Sequence, residues 1–359
     1  MANEQFRLID LIDDMCDGKD VFFRSVRLVE DIMRHDIKTL TLDDTVEGCF
    51  KFMKDYKVRH VPIIDVPTQK DGKPYFVGVV SQRDLFRQIS PYVGKIGEEK
   101  TDLKAMRQTL GQIVTRNPKS VSPETPIQDM ITIMVHDRID SVPVLLGRDL
   151  VGIVTATDVL KLFVRLDAIE KLCLKKTETE QSRRFVDLLS GDSDHAVLTL
   201  SSVLRTVKDI MIEQVACLEA QDNLAKVIEV MQMGKFRHVP VVDKQKRLVG
   251  IISDRDVLRF LPFRGSQHRS QTEIFRAELF DVDPEDASLG LLVRNIMSQE
   301  IVHVSPTCRF YDAVKMLHEM KISCLPVTND EKELLGIVTV TDVMRGLLAA
   351  YKLTAKSDV

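Results

Sequence analysis

Four aspartates close the same seven-residue pattern: Gly78-Val-Val-Ser-Gln-Arg-Asp84, Gly152-Ile-Val-Thr-Ala-Thr-Asp158, Gly250-Ile-Ile-Ser-Asp-Arg-Asp256 and Gly336-Ile-Val-Thr-Val-Thr-Asp342. A carboxylate in such a place can accept hydrogen bonds from two neighbouring hydroxyls, as the acidic residue of a dinucleotide site does with a ribose. The hydroxyls of Ser81, Thr155, Ser253 and Thr339 add a donor and an acceptor beside it. Ser/Thr-x-x-Asp is also the spacing of a helix capping box, in which the same atoms satisfy orphan N–H groups. Four copies in one chain make an internal repeat, which has to be recognised before any fold is assigned.

A second set of chemical residues recurs with the first. Arg59-His60 and Arg237-His238 each precede a Val-Pro, and Arg83 and Arg255 each stand directly before the motif aspartate. Guanidinium forks in that setting suit a phosphate. The other two copies differ: Asp140 and Ser323 replace the first arginine, and Thr157 and Thr341 replace the second. Asp140 repels a phosphate, so the charged set belongs to the odd copies.

The elements that must hold these residues follow from hydrophobic pattern. Each copy ends an apolar, β-branched run and opens an amphipathic stretch, placing the hydroxyl at a strand-to-helix junction, an edge where small ligands bind. Upstream, Val46, Cys49, Phe50 and Met53 keep the spacing of a buried helix face. Ile127, Met130, Ile131 and Met134, then Leu224, Val227, Ile228 and Met231, then Phe310, Ala313, Val314 and Leu317, repeat it. Pro62 predicts an edge position or a strand start. The repeats span residues 29–89, 110–166, 207–261 and 293–348, the first resembling the third and the second the fourth. Outside them lie an amphipathic opening (1–28), a charged inter-module linker (167–206) and an insertion (262–292) carrying Arg264, Gly265, His268 and Arg269.

Composition narrows the function. The chain has 359 residues, with 50 Lys and Arg against 54 Asp and Glu, a balance that argues against direct nucleic-acid binding. Apolar residues make up 44%, enough for a sizeable core, and no apolar run approaches the roughly 20 residues of a membrane span. The opening Met-Ala-Asn-Glu-Gln-Phe has no signal-peptide character. Six scattered cysteines, none in a Cys-x-x-Cys pair, read as reduced thiols of a cytoplasmic protein. Neither metal-ligand histidine spacing nor a catalytic motif is present, so no metal, no catalytic cofactor and no enzymatic activity are expected.

Strand, helix, x-x-Val-Pro strand, Gly-h-h-Ser/Thr-x-x-Asp strand and helix, in that order, resemble the cystathionine-beta-synthase-type (CBS) domain. Four copies resemble two tandem Bateman modules, the layout of AMP-activated protein kinase gamma subunits and of stand-alone prokaryotic CBS proteins. The resemblance covers about two-thirds of the chain. It implies an α/β (α+β) fold in which each repeat is a small sheet with two packed helices and paired repeats enclose two clefts. It also implies a regulatory protein that binds AMP, ADP or ATP and passes a conformational change to a protein partner or to a second copy. By that resemblance the ribose is held at Asp84, Asp158, Asp256 and Asp342 with Ser81, Thr155, Ser253 and Thr339. Phosphate is held at Arg59, His60, Arg83, Arg237, His238 and Arg255, so the odd repeats carry the nucleotide sites. Two other readings stay open: a sensor of S-adenosylmethionine or NAD-type ligands, and an interaction scaffold with vestigial clefts.

Overall fold

The computed structural model describes residues 28–66, 73–88, 106–164, 204–260 and 287–355. Residues 1–27, most of the linker, most of the insertion (with Arg264, Gly265, His268 and Arg269), residues 67–72 and 89–105, Cys16 and Cys173 lie outside the described residues.

In the first repeat a single turn at Val29–Asp31 leads to strand β1 (Leu40–Thr41), helix α1 (Val46–Asp55), strands β2 (His60–Asp65) and β3 (Tyr75–Ser81), and helix α2 (Gln82–Gln88). Helix α1 starts where it does because the Thr45 side chain accepts from the Gly48 N–H at 3.1 Å. Its apolar stripe buries Val46, Cys49 and Met53, while Phe50 stays half-buried beside the next helix. Pro62 sits inside β2, a central strand of its sheet, and not at an edge. Its missing N–H is tolerated there because pairing with β1 begins one residue later, at Ile63.

The second repeat adds β4 (Thr115–Arg116), α3 (Ile127–His136), β5 (Ser141–Leu146), β6 (Asp149–Thr155) and a helix α4 over 156–164. The third adds β7 (Leu218–Glu219), α5 (Leu224–Gly234), β8 (His238–Val242), β9 (Leu248–Ser253) and α6 (Asp254–Leu258). The fourth adds α7 (Val293–Ile296), α8 (Phe310–Glu319), β10 (Cys324–Thr328), β11 (Leu334–Thr339) and α9 (Val340–Ala355). All four expected apolar positions of α3, α5 and α8 are buried. Two residues past each of α1, α3 and α8, and one past α5, a basic residue takes the left-handed conformation: Lys57, Arg138, Lys321 and Lys235, with φ of 54°, 54°, 55° and 51°. Such a turn costs a non-glycine residue about 1–2 kcal/mol, and each one launches the following Val-Pro-type strand.

Neighbouring repeats are joined by exchange of their lead-in segments. Arg34 of the first repeat bridges Ile153 on β6, while β4 of the second pairs with Gly78 and Val79 on β3. The third and fourth repeats do the same, with Ile212 against Ile337 and Ser298 against Ile251. This explains the glycine that opens each motif. A Cβ on Gly78 would collide with the Thr115 carbonyl, and one on Gly336 would stand 2.9 Å from the Ile212 carbonyl oxygen. At Gly152 and Gly250 the crossing side chains are Met33 and Met297.

The two pairs close into a ring through contacts of unequal kind. Repeats two and four share one hydrophobic core, in which α3 packs on α9 and the Phe163 and Phe310 rings meet edge-on at 5.4 Å. Repeats one and three keep separate cores joined by α2 against α6, with Phe86 inserted into the core of the third repeat. Among the described residues no helix is long and apolar enough to cross a membrane.

Gly78→Ala is expected to destabilise the protein by about 1–3 kcal/mol through overpacking against the crossing backbone. Gly290→Ala, with nothing within 4 Å of the added carbon, is the near-neutral control. Urea denaturation of both variants checks this, and equal midpoints would contradict the packing role of the motif glycine.

Candidate functional site

All four Ser/Thr-x-x-Asp motifs close on their own carboxylate, and in three of them the hydroxyl of Ser81, Ser253 or Thr339 also accepts the aspartate N–H, at 3.3–3.4 Å, to complete a capping box. One oxygen, Oδ2, of Asp84, Asp158, Asp256 and Asp342 accepts the backbone N–H of the motif hydroxyl residue at 2.8–2.9 Å and its side-chain hydroxyl at 2.6 Å. The architectural reading of the motif is therefore realised in full in three copies and in its carboxylate half at Thr155. Burial, more than the remaining oxygen Oδ1, separates the copies. Asp158 Oδ1 accepts from Arg34 Nε at 2.8 Å, and Asp342 Oδ1 from Arg345 Nη1 at 3.1 Å; both carboxylates are buried. Asp256 is less enclosed, though its Oδ1 also accepts from Arg259 Nη1 at 3.4 Å, and Asp84 is half-buried.

The residues expected to meet phosphate come together from two repeats at one junction. Arg83 lies on α2, Arg255 on α6, and Arg59 and Arg237 stand just before β2 and β8. Arg83 donates from Nε to Asp254 Oδ2 at 2.5 Å and from Nη1 to Asp140 Oδ2 at 3.1 Å. Arg237 Nη1 reaches both oxygens of Asp140 at 3.0 Å, and its Nη2 donates to the Arg138 carbonyl. Arg59 Nη2 donates to the Lys321 carbonyl at 2.7 Å, and Arg138 Nη1 to the Lys235 carbonyl at 3.1 Å. Residues of all four repeats therefore meet here, and the left-handed turns supply three of the backbone acceptors. Arg255 Nε is buried without a hydrogen-bond partner, as is Asp254 Oδ1.

Comparison with known proteins settles the family. The CBS domain model matches residues 29–91, 110–165, 207–262 and 293–349. The chain belongs to the CBS-domain family. A solved relative with the same fold is protein MJ1225 of Methanocaldococcus jannaschii, described as a proposed archaeal homolog of g-AMPK. It superposes with a TM-score of 0.57 at 17% identity, over 89% of this chain and 99% of that one. By sequence, MJ1225 is 24% identical over 232 residues, 65% of this chain and 69% of the relative. The uncharacterized protein MJ1426 of the same organism is 29% identical over 164 residues, 42% of this chain and 96% of the relative. The fold is a mixed α/β assembly of four CBS repeats, consistent with two Bateman modules.

Electrostatics within the CBS junction follow from burial and from the arginines. Burial pushes the Asp140 carboxyl up, but Arg237 and Arg83 outweigh it and hold it below the usual carboxylate range. Asp254 is held down in the same way by Arg83. Arg255 falls to about 10 through burial and the nearby Arg83 and Arg59. Burial pulls His60 and His238 down to about 4, despite Asp140 near the first and Asp254 near the second. At neutral pH these imidazoles are uncharged, so they can serve a ligand as hydrogen-bond partners and not as cations.

A separate apolar cleft of about 220 Å³ lies between repeats one and three, lined by Phe50, Met53, Lys54, Gln82, Phe86 and Arg259. It is smaller than the roughly 300–1,000 Å³ of ordinary ligand pockets, and no motif aspartate lines it. Sequence reading did not find Asp254 as a partner of Arg83. It occupies a variable place of the motif, and its pairing depends on how the third repeat docks on the first.

The histidines give a pH dependence. Their folded values near 4 lie below the unfolded value of about 6.5. The unfolded chain therefore binds more protons between those limits, and stability falls as pH drops from about 6.5 to about 4. Asp140 and Asp254, held below their ordinary value, contribute their own loss at lower pH. Thermal unfolding across this window should show Tm declining by several degrees, and His60→Gln/His238→Gln should flatten the decline. A profile equally steep in the double variant would place the proton uptake elsewhere.

Proposed function

We propose that this CBS protein is a regulatory sensor of adenosine-containing ligands, with AMP, ADP or ATP as the ligand class and phosphates directed at the arginine junction. The observation that carries the reading is the convergence of Arg59, Arg83, Arg237 and Arg255 beside the less enclosed motif aspartates, Asp84 and Asp256. The ribose is assigned to Asp84 and Asp256, with Ser81 and Ser253 fixing each carboxylate. His60 and His238 stand beside the phosphate. Asp158 and Asp342 are buried, whereas Asp84 and Asp256 are partly exposed, which supports weaker binding in the even repeats. Thr155 and Thr339 hold the two buried carboxylates.

Regulation follows from the placing of the site. The junction lies where both modules contribute residues, so a ligand there bears on their packing. It shifts that packing only by the difference in its affinity for two arrangements. The output is assigned to a protein partner or to self-association, with no catalytic step. A scaffold reading has one observation in its favour: all four motif carboxylates are held by their own Ser or Thr without a ligand.

Thermal unfolding against AMP, ADP, ATP, S-adenosylmethionine, NADH and GMP discriminates these readings. A ligand at a hundred times its Kd stabilises by about 2.7 kcal/mol per site. The expected result is a shift of several degrees with adenine nucleotides, lost in Asp84→Ala/Asp256→Ala and kept in Asp158→Ala/Asp342→Ala. The reverse pattern would assign the nucleotide to the even repeats. A flat response to the whole panel would favour the scaffold.

A further inference from the structure

Asp140 occupies the position in its repeat that Arg59 and Arg237 occupy in theirs, directly before a Val-Pro strand. A carboxylate is thus delivered to a place where two other repeats deliver a guanidinium. It bonds to arginines of both odd repeats, Arg83 at 3.1 Å and Arg237 at 3.0 Å from each oxygen. The cluster is not sealed: the side chains of Asp140, Arg83 and Arg237 are 29%, 18% and 30% exposed. Among the described residues, the carboxylates hydrogen-bonded to the set Arg59, Arg83, Arg237 and Arg255 are those of Asp140 and Asp254. Of these four, Arg59 has a backbone carbonyl as its bonded partner and Arg255 Nε has none. A carboxylate gripped by two guanidinium groups is the geometry in which the same groups grip a phosphate.

We propose that Asp140 is an internal counter-anion which a ligand phosphate must displace from Arg83 and Arg237, so that it sets the affinity of the junction for phosphorylated over unphosphorylated ligands. This assignment rests on the junction being the phosphate end of the site proposed above. In the ligand-free protein the carboxylate relieves repulsion among the arginines and holds the second repeat to the first and third. A phosphate brings more oxygens and at least as much charge to the same two arginines. It binds with the loss of the Asp140 contacts subtracted. Removing that charge strengthens anion binding and leaves recognition of the nucleoside untouched.

The experiment is isothermal titration of the full chain and of Asp140→Asn with pyrophosphate, AMP and adenosine. Asp140→Ser, which places at this position the residue type found at Ser323, is run in parallel in case the amide variant folds poorly. Circular dichroism confirms folding of each. The expected result is tightening of pyrophosphate and AMP by about tenfold, with adenosine unchanged. Unchanged or weaker binding of both anions in a folded variant would overturn the proposal and leave Asp140 as a structural ion pair. Tighter pyrophosphate with no binding of AMP or adenosine to any form would uphold the counter-anion and reject the adenosine reading. Equal tightening of adenosine would also overturn it, because the effect would then be general loosening of the cleft.

Discussion

The repulsion among arginines brought together by the docking of four repeats is the constraint on which the junction depends. Desolvated guanidinium groups cannot crowd together unless carboxylates or carbonyl oxygens meet them. Asp140 and Asp254 meet Arg83 and Arg237, and the carbonyls of Lys321, Arg138 and Lys235 meet Arg59, Arg237 and Arg138. Each bond crosses from one repeat to another, so charge pairing and the relative placing of the modules are one arrangement. A change in either moves the other, which a sensor requires and a rigid scaffold does not.

The ring is asymmetric in its cohesion. On one side Phe163, Phe310, Tyr311 and the α3–α9 contact make a single core across the module boundary. On the other, Phe86 and the stacked Arg259, 5.4 Å above its ring, span two cores that remain separate. Burial of continuous apolar area resists separation more than a helix edge and a cation–π contact do. The even repeats therefore hold the modules together while the odd repeats have the looser seam, and the odd repeats carry the basic residues.

Much of this was legible in the sequence. The helix faces at 127–134, 224–231 and 310–317 followed from apolar spacing alone, and the four-fold motif revealed the repeat before any contact was known. Pro62 was misplaced, because a rule about missing donors cannot tell which neighbour a strand lacks. The charged residues were identified as a set belonging to the odd repeats, but their meeting at one junction depends on docking between modules. For the same reason Asp140 read only as a group hostile to phosphate. Its type and position were plain, whereas its partners lie 57 and 97 residues away in the chain. The motif glycine was noted without its cause, which is the passage of another repeat's backbone.

The left-handed turns at Lys57, Arg138, Lys235 and Lys321 bear on how the junction tolerates sequence drift. Where an arginine lands on a carbonyl oxygen, the acceptor belongs to the main chain and persists through replacement of its own side chain. Lys321 and Lys235 can thus vary without removing the oxygen that Arg59 or Arg138 uses, provided that the new residue accepts the same backbone angles. The burden of inheritance falls unevenly: donors are fixed by residue type, and acceptors only by the course of the chain. Side-chain scanning of this face would detect the first and be blind to the second.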